Sequence, residues 1–177
     1  MDNTCLLVMD VQPGILDRLE KKEEYLKLLE QTISRARQAQ IKVIFVVVGF
    51  RPGFPEVSPN NKSFSAIKGN ATSGIINPIP ALKPAAEDIV IVKRRVSAFS
   101  GSDLEVVLRA SSFKHLVLSG ISTSGVVLST LREAADKDYR ITVISDLCDD
   151  ADAEVQRVLI EKVFPRQAEI TTAKELL

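Results

Sequence analysis

The sequence predicts an α/β protein with helices on both faces of a parallel sheet. Six short apolar runs, rich in β-branched residues, recur along the 177-residue chain. Most of these runs are continuous rather than alternating, which is typical of strands that are buried on both faces. Segments with helical spacing lie between the runs, and this alternation of strand and helix favours a doubly wound sheet.

The six predicted strands are distributed from the beginning of the chain to its end. The run nearest the C-terminus is the weakest of them. The predicted strands are Thr4–Met9, Ile41–Val48, Asp88–Val92, His115–Ser119, Arg140–Ser145 and Ala168–Thr171.

The segments between these strands place apolar side chains on one helix face and charged side chains on the other. Ser102 and Glu105 have the spacing of a capping box, in which each side chain bonds the backbone amide of the other at a helix start. Thr172 and Glu175 repeat this spacing near the end of the chain. The predicted helices are Glu23–Gln40, a helix opening at Ser102, Ser124–Lys137, Asp152–Val163 and a last helix after Thr172.

Length and composition indicate a single domain that covers residues 1–177. The chain has 45% hydrophobic and 26% charged residues, which is typical of globular proteins. Its 23 basic residues equal its 23 acidic ones, so no electrostatic signal indicates nucleic acid or a membrane as partner. The apolar run near the N-terminus is too short for a signal peptide or a membrane span, and a cytoplasmic protein is therefore expected.

The stretch Phe50–Pro84 interrupts the alternation of strand and helix. It contains six of the eight prolines and three of the eight glycines. Irregular segments of this length in compact domains are often lids or binding segments. Two interpretations stay open: a lid that begins with Phe50, Arg51 and Phe54, and a surface excursion on the way to the next strand.

Three candidate functional groups lie where predicted strands end. Asp10 closes the first strand, Lys93 closes the third, and the turn 120–125 joins the fourth strand to a helix. Ligands of open α/β sheets bind outside the carboxyl ends of the strands. A carboxylate, an ammonium group and helix N-terminal amides at this edge would support proton transfer and stabilise an oxyanion. An ordinary ion pair between Asp10 and Lys93 is an equal alternative.

Five segments, taken in order, carry a family resemblance. They are Leu6–Gln12, Lys93–Phe99, Gly120–Leu128, Ile144–Asp146 and Val163–Ile170. Together they resemble the isochorismatase-like hydrolases, also called cysteine hydrolases, which include nicotinamidases and N-carbamoylsarcosine amidases. Each motif alone is weak, but the ordered set spans nearly the whole chain. The resemblance implies a Rossmann-type three-layer α/β/α sandwich on a six-stranded parallel sheet, with strand order 3-2-1-4-5-6.

The resemblance also implies roles for three positions. Asp10 matches the catalytic aspartate of the family and Lys93 its catalytic lysine, whereas Val126 stands at the position of the nucleophilic cysteine. A valine side chain has no lone pair and no acidic proton, so covalent amide hydrolysis of the nicotinamidase type is disfavoured. Neither Cys5 nor Cys148 matches the family position, and both are expected to be buried and inert.

True isochorismatases cleave a vinyl ether and also lack the cysteine. By this resemblance Asp10 is the general acid and base, and Lys93 binds substrate and tunes the aspartate as its electrostatic partner. The family further implies a cis peptide bond between Ile121 and Ser122. Isochorismatases carry Tyr-Ala-His where this chain has residues 122–124, so their substrate is not implied. The residues expected to bind a substrate are Gln12, Phe50, Phe99, Ile121, Ser122 and Gly125, and for Phe99 a place in the core is an equal alternative.

These observations support three hypotheses for function. The first is hydrolysis of a small molecule without a cysteine nucleophile. The second is an inactive relative that binds a ligand or has a structural role, with Asp10 and Lys93 as a residual ion pair. The third is a noncovalent amidase in which Asp10 activates water.

Expected partners follow from the same observations. No metal and no other cofactor is expected, because His115 is the only histidine and it opens a predicted strand. Arg94 and Arg95 are expected to be solvated cations, with contact to an anionic substrate as the less favoured alternative. The family commonly assembles, so a homo-oligomer, a dimer or larger, is expected in addition to a small-molecule substrate.

Overall fold

The computed structural model describes residues 3–68 and 78–176 and contains a six-stranded sheet. Its strands are β1 (Thr4–Met9), β2 (Lys42–Val48), β3 (Ile89–Lys93), β4 (His115–Ile121), β5 (Arg140–Asp149) and β6 (Glu169–Thr171). They lie in the order β3-β2-β1-β4-β5-β6, and every neighbouring pair is parallel. The predicted sheet and its strand order are confirmed.

Helices connect the strands, and two of them include a turn of π-helix. They are α1 (Pro13–Leu16), α2 (Lys22–Gln38), α3 (Lys62–Lys68), α4 (Leu104–Ala110), α5 (Leu128–Asp136, preceded by the π-turn Thr123–Val127), α6 (Ala153–Val158, followed by the π-turn Leu159–Val163 and the 3₁₀ turn Phe164–Arg166) and α7 (Ala173–Leu176). No helix within the described ranges is long and apolar enough to cross a membrane. The predicted capping box of α7 forms, because the amide of Thr172 donates to Glu175 and the amide of Glu175 donates to Thr172.

The core consists of two apolar layers, one on each face of the sheet. Cys5, Leu7 and Met9 belong to the layer that contains α4 and α5, whereas Leu6 and Val8 belong to the layer that contains α2. Successive side chains of a strand point to opposite faces. A strand that is covered on both faces must therefore be apolar throughout, which is the physical reason for the continuous apolar runs.

Helix α2 presents the predicted face to its layer. Leu29, Ile33 and Ala36 are buried, and charged side chains face outwards. The helix ends at Gln38 rather than at Gln40, because Gln40 has a left-handed backbone conformation with φ 58° that turns the chain into β2.

The predicted capping box at the start of α4 is wrong. The Ser102 hydroxyl accepts a hydrogen bond from the Leu104 amide at 3.2 Å and donates one to the Ala98 carbonyl at 2.6 Å. The Glu105 carboxylate turns away and accepts a hydrogen bond from Lys137 at 2.7 Å. Two cations, Lys137 after the C-terminal end of α5 and Arg109 of α4 itself, thus replace the backbone amide as partners of this glutamate.

The excursion Phe50–Pro84 contains a helix, α3, and an aromatic cluster. Residues 69–77 of this predicted segment lie outside the described residues. The ring centroid of Phe50 lies 5.7 Å from that of Phe54 and 5.4 Å from that of Phe64. The first part of the excursion is therefore anchored by its own small apolar core.

Strand β5 is longer than predicted and ends at Asp149 instead of Ser145. A register shift between Leu118 and Gly120 of β4 allows pairing to continue, with Gly120 opposite Cys148. Cys148, which follows the predicted strand end at Ser145, therefore lies within β5. The extension carries the carboxylates that follow Ser145 to the edge of the sheet.

Candidate active site

Asp10 and Lys93 meet at the carboxyl edge of the sheet, although their strands are not neighbours. Strand β2 lies between β1 and β3, and the lysine places its Nζ 2.9 Å from Oδ2 of Asp10. Only 9% of the aspartate side chain and 2% of the lysine side chain are exposed. The backbone of Asp10 is left-handed, with φ 57°, which turns the chain out of β1. The structure thus joins the two predicted residues in a buried ion pair.

The two partners of this pair differ in what they leave available. Lys93 Nζ also donates hydrogen bonds to the carbonyls of Arg95 and Val96, each at 2.9 Å. An ammonium group has three N–H bonds, so all of its donors are used within the chain. Oδ1 of Asp10 is buried and has no hydrogen-bond partner among the described residues. Lys93 is therefore positioned as a charge partner, and Asp10 is the member of the pair that can meet a ligand.

Burial dominates the electrostatics of Asp10. It raises the pKa of the carboxyl from 3.8 to about 6, and the charge and hydrogen bond of Lys93 lower the pKa by less than burial raises it. The desolvation of a buried ion pair commonly outweighs its mutual attraction. A carboxyl group with a pKa near neutrality can both donate and accept a proton.

Gln12 connects the loop after β1 to the end of β2. Its Nε2 donates to the Val48 carbonyl at 3.1 Å, and its Oε1 accepts from the Val48 amide at 2.8 Å. Its own amide donates to the Asp10 carbonyl at 2.9 Å. The side chain is buried and holds the loop that carries Asp10 in a defined position.

A close approach between β1 and β4 supports the opposite side of the site. Gly120 lies opposite Met9 and has φ 151°. A Cβ atom at this position would lie 2.3 Å from the Met9 carbonyl oxygen. One residue further along, the peptide bond between Ile121 and Ser122 is cis, and this is the bond that the resemblance names.

The backbone amides after this turn are used by the chain itself. The Ser124 amide donates to Oδ2 of Asp150 at 2.7 Å. The amides of Gly125 and Val127 donate to the Ser122 carbonyl at 3.2 and 3.3 Å. The expectation that this turn offers its amides to a substrate oxyanion is therefore wrong for these three groups.

No reactive thiol faces the ion pair. Val126 is buried and lines the site without a polar atom in its side chain. Burial raises the pKa of both Cys5 and Cys148 to about 12, so both thiols stay protonated at neutral pH. Because the thiolate is the nucleophilic form, neither cysteine replaces the missing one.

A cleft of about 1220 Å³ opens above the ion pair. Phe50 does not line this cleft but packs in the aromatic cluster, and Phe99 packs against Tyr139 with Lys137 Nζ 5.6 Å from its ring centroid. The structure therefore places both predicted substrate-binding aromatics outside the cleft. The predicted residues that do line it are Asp10, Gln12, Lys93, Ile121, Ser122, Gly125 and Val126.

Sequence reasoning did not select many of the residues that line the cleft, among them Asp149, Asp150 and Tyr25. Asp149 ends β5, Asp150 follows it, and both line the cleft together with Tyr25 from α2. The signal for the two aspartates was available, since they follow the apolar run of the fifth strand and ligand sites lie at such strand ends. Nothing in the sequence distinguishes Tyr25 from the other residues of its predicted helix. In the structure its hydroxyl donates a hydrogen bond to the Leu147 carbonyl at 3.2 Å.

The arginines after Lys93 are not solvated as predicted. Arg94 Nε lies 3.4 Å from the Glu56 carboxylate, and Arg95 donates to the Glu56 carbonyl at 3.1 Å. Both side chains are half-buried and fasten the excursion to the end of β3.

His115 lies at the amino edge of the sheet, far along β4 from the ion pair. Its ring nitrogens bond the hydroxyls of Thr142 at 2.8 Å and Thr4 at 3.3 Å. Within residues 3–68 and 78–176, no group of three or more His, Cys, Asp or Glu side chains is placed to hold a metal ion.

Comparison of the sequence with models of protein families shows a match to the isochorismatase domain over residues 4–175. The chain belongs to the isochorismatase family. The isochorismatase family protein YecD of Escherichia coli O157:H7 is 29% identical to this chain, and the alignment covers 98% of this chain and 94% of that protein. Ureidoacrylate amidohydrolase RutB of Methylorubrum extorquens is 30% identical to this chain, and the alignment covers 82% of this chain and 69% of that protein.

The isochorismatase family fold is also found among solved structures. A cysteine hydrolase from Pseudomonas syringae pv. phaseolicola superposes with a TM-score of 0.86 at 22% identity, covering 98% of this chain and 90% of that chain. This similarity concerns the fold. The activity of this family member has to be argued from its own cleft.

Proposed function

We propose that this isochorismatase-family chain hydrolyses a small molecule without a cysteine nucleophile, with Asp10 transferring protons and Lys93 as its electrostatic partner. The observation that carries the proposal is the buried pair at 2.9 Å, which leaves Oδ1 of Asp10 without a partner among the described residues. The cleft above it, of about 1220 Å³, has the size of a small-molecule site. Val126 removes the covalent route.

Cleavage of a vinyl ether fits these groups. Asp10 donates its proton to the terminal alkene carbon, whose π electrons form the new C–H bond and leave an oxocarbenium ion. Water adds to that cation, and a proton from the water returns to the Asp10 carboxylate. The resulting hemiketal breaks its C–O bond and yields a carbonyl compound and an alcohol. Lys93 offsets the negative charge on Asp10 after the first proton transfer.

Noncovalent amide hydrolysis is a second candidate, and the similarity to an amidohydrolase, RutB, favours it. In this case Asp10 acts as a base and removes a proton from the water that attacks the carbonyl carbon. A third candidate is a ligand-binding or structural protein, which the replacement of the family's cysteine by Val126 favours. Assembly into a homo-oligomer and a cytoplasmic location stay predictions.

The test is a substrate screen with vinyl ethers, amides and nitriles. We expect the wild-type protein to turn over a compound and Asp10→Asn to lose at least about 100-fold in rate, the range of general acid–base catalysis. Asp88→Asn is the matched control, because Asp88 is another buried carboxylate in an ion pair, with Arg37, at the amino end of β3. It should cost stability without affecting the rate of the folded protein. An absence of turnover in every class would favour the binding protein.

The pH dependence separates the two reactions. A general acid must be protonated, so vinyl ether cleavage should fall about tenfold per pH unit above the Asp10 pKa of about 6. A general base must be ionised, so amide hydrolysis should instead rise up to that pH and then level. A profile without an inflection near pH 6 would argue against Asp10 in either role.

A further inference from the structure

The charged residues that line the cleft fall into three groups. Within each of two groups the positive and negative charges balance. At the floor, the ammonium of Lys93 lies 2.9 Å from the Asp10 carboxylate. At the rim formed by α1 and α2, two cations face two carboxylates, and one such pair is separated by 3.7 Å. These rim residues are Arg18, Lys21, Glu20 and Glu24.

The third group is purely acidic and lies at the end of β5. Asp146, Asp149 and Asp150 all line the cleft, and none of them forms an ion pair within the described ranges. Asp146 accepts a hydrogen bond from the Ala173 amide at 2.7 Å, and Asp150 accepts one from the Ser124 amide at 2.7 Å. Both amides lie at helix starts, where a negative charge is favourable.

Asp149 has less compensation than its neighbours. Partial burial raises the pKa of its carboxyl, a hydrogen bond from the Asp150 amide lowers it, and the nearby carboxylates of Asp150 and Glu20 raise it. A bound cation would relieve this repulsion. Asp149 and Asp150 also border a second cavity of about 380 Å³, so solutes can reach them from two sides.

Oδ1 of Asp10 is an independent indication of the same kind of ligand. It is buried within a side chain that is only 9% exposed, and it has no hydrogen-bond partner in the described part of the chain. A buried carboxylate oxygen without a partner is costly unless a ligand donates to it. Above the Asp10 pKa of about 6, where this carboxyl is ionised, both the floor and the β5 wall therefore present acceptors rather than donors to the cleft.

We propose that the cleft selects a small organic cation, such as an amine or amidine, and rejects carboxylates, with Asp149 and Asp150 as the binding residues. This inference rests on the proposed function and specifies the class of its substrate. An anion finds few donors at the floor and at the β5 wall, because Lys93 has used its three N–H bonds and the Ser124 amide already bonds Asp150.

Three probes of equal shape test the proposal: benzamidine, benzamide and benzoate carry charges of about +1, 0 and −1 at pH 7.5. Dissociation constants come from amide chemical shifts in ¹⁵N-labelled protein at low ionic strength. We expect benzamidine to bind at least about tenfold more tightly than benzoate, and the ratio to shrink with added salt. In Asp149→Asn/Asp150→Asn the ratio should fall to about threefold or less, since two charges are lost.

The control Asp136→Asn/Asp138→Asn removes the same net charge outside the cleft and should keep the ratio. Asparagine at position 150 retains an oxygen that can accept from the Ser124 amide, and the single variant Asp149→Asn serves if the double variant does not fold. Benzoate binding as tightly as benzamidine, no benzamidine binding at all, or an equal effect of the control would each overturn the proposal.

The two proposals fail separately. Turnover that Asp10→Asn abolishes, together with a preference for benzoate, would refute the cation inference alone. A preference for benzamidine that Asp149→Asn removes, in a protein that turns over no substrate, would refute the proposed hydrolysis alone. Asp10→Asn should keep most of the preference, because Asp149 and Asp150 remain charged.

Discussion

Replacing Lys93 with methionine removes the ammonium group and retains much of the buried stem. The Asp10 carboxylate then loses the cation 2.9 Å away, at a site where only 9% of its side chain is exposed. Removing one partner of a buried ion pair costs about 3–5 kcal/mol, because the other charge stays buried without compensation. The carbonyls of Arg95 and Val96 also lose their donor, at about 1 kcal/mol each.

The pH dependence of this loss identifies Asp10 as its origin. With Lys93 present, burial raises the Asp10 pKa from 3.8 to about 6, which corresponds to about 3 kcal/mol of stability that is lost as the pH rises through this interval. Without Lys93, which lowers this pKa, the folded-state pKa rises further. Stability from the protonated carboxyl is then fully present below the unfolded-state pKa and is lost as the pH rises towards the higher folded-state pKa.

Urea unfolding followed by circular dichroism at pH 5 and pH 8 measures the effect. We expect Lys93→Met to lose about 3–5 kcal/mol at pH 8 and about 1–2 kcal/mol at pH 5, where Asp10 is mostly protonated. Asp10→Asn/Lys93→Met lacks the ionisable carboxyl and should lose this difference. Equal losses of Lys93→Met at the two pH values would refute the assignment of the effect to the Asp10 charge.

Two further predictions concern the end of β4 and the turn that follows it. Gly120→Ala places a Cβ 2.3 Å from the Met9 carbonyl at φ 151°, so its free energy of unfolding should fall by more than about 3 kcal/mol. Gly53→Ala, which meets no atom within 4 Å at φ 81°, should lose about 1 kcal/mol, and equal losses in urea unfolding would contradict the close packing. Val126→Cys adds a thiol to the cleft, and because both native thiols have a pKa of about 12, iodoacetamide should label the variant at least about tenfold faster than the wild type. Equal labelling rates would show that position 126 is not the site of the family's nucleophile.

Much of the fold could be predicted because it depends on local chemistry. Continuous apolar runs identify strands that are covered on both faces. In β1, for example, the neighbouring residues Leu6 and Leu7 pack into opposite apolar layers. Strand ends were less predictable, because they depend on pairing with a neighbour. Strand β5 continues to Asp149 because its pairing with β4 resumes after a register shift, with Gly120 opposite Cys148.

The charged residues of the candidate site could be predicted from the sequence, but the aromatic ones could not. Asp10 and Lys93 are chemically conspicuous at the ends of apolar strands, so sequence reasoning found both. Phe50 and Phe99 were also selected, but an aromatic residue serves a core as well as a cleft, and both lie outside the cleft. The Ser102 capping box does not form because the Glu105 carboxylate pairs instead with Arg109 of its own helix and with Lys137, whose position only the packing of helices determines.

The sequence by itself determined the six strands, the two apolar layers and the residue types at the carboxyl edge, since these follow from side chains at successive positions. Only the tertiary structure decided which of those groups keep an unused hydrogen-bond donor or acceptor. Lys93 is saturated by Asp10 and two carbonyls, the Ser124 amide is taken by Asp150, and Oδ1 of Asp10 is left buried without a partner among the described residues. The partners come from separate strands and loops, and only folding brings them within hydrogen-bonding distance.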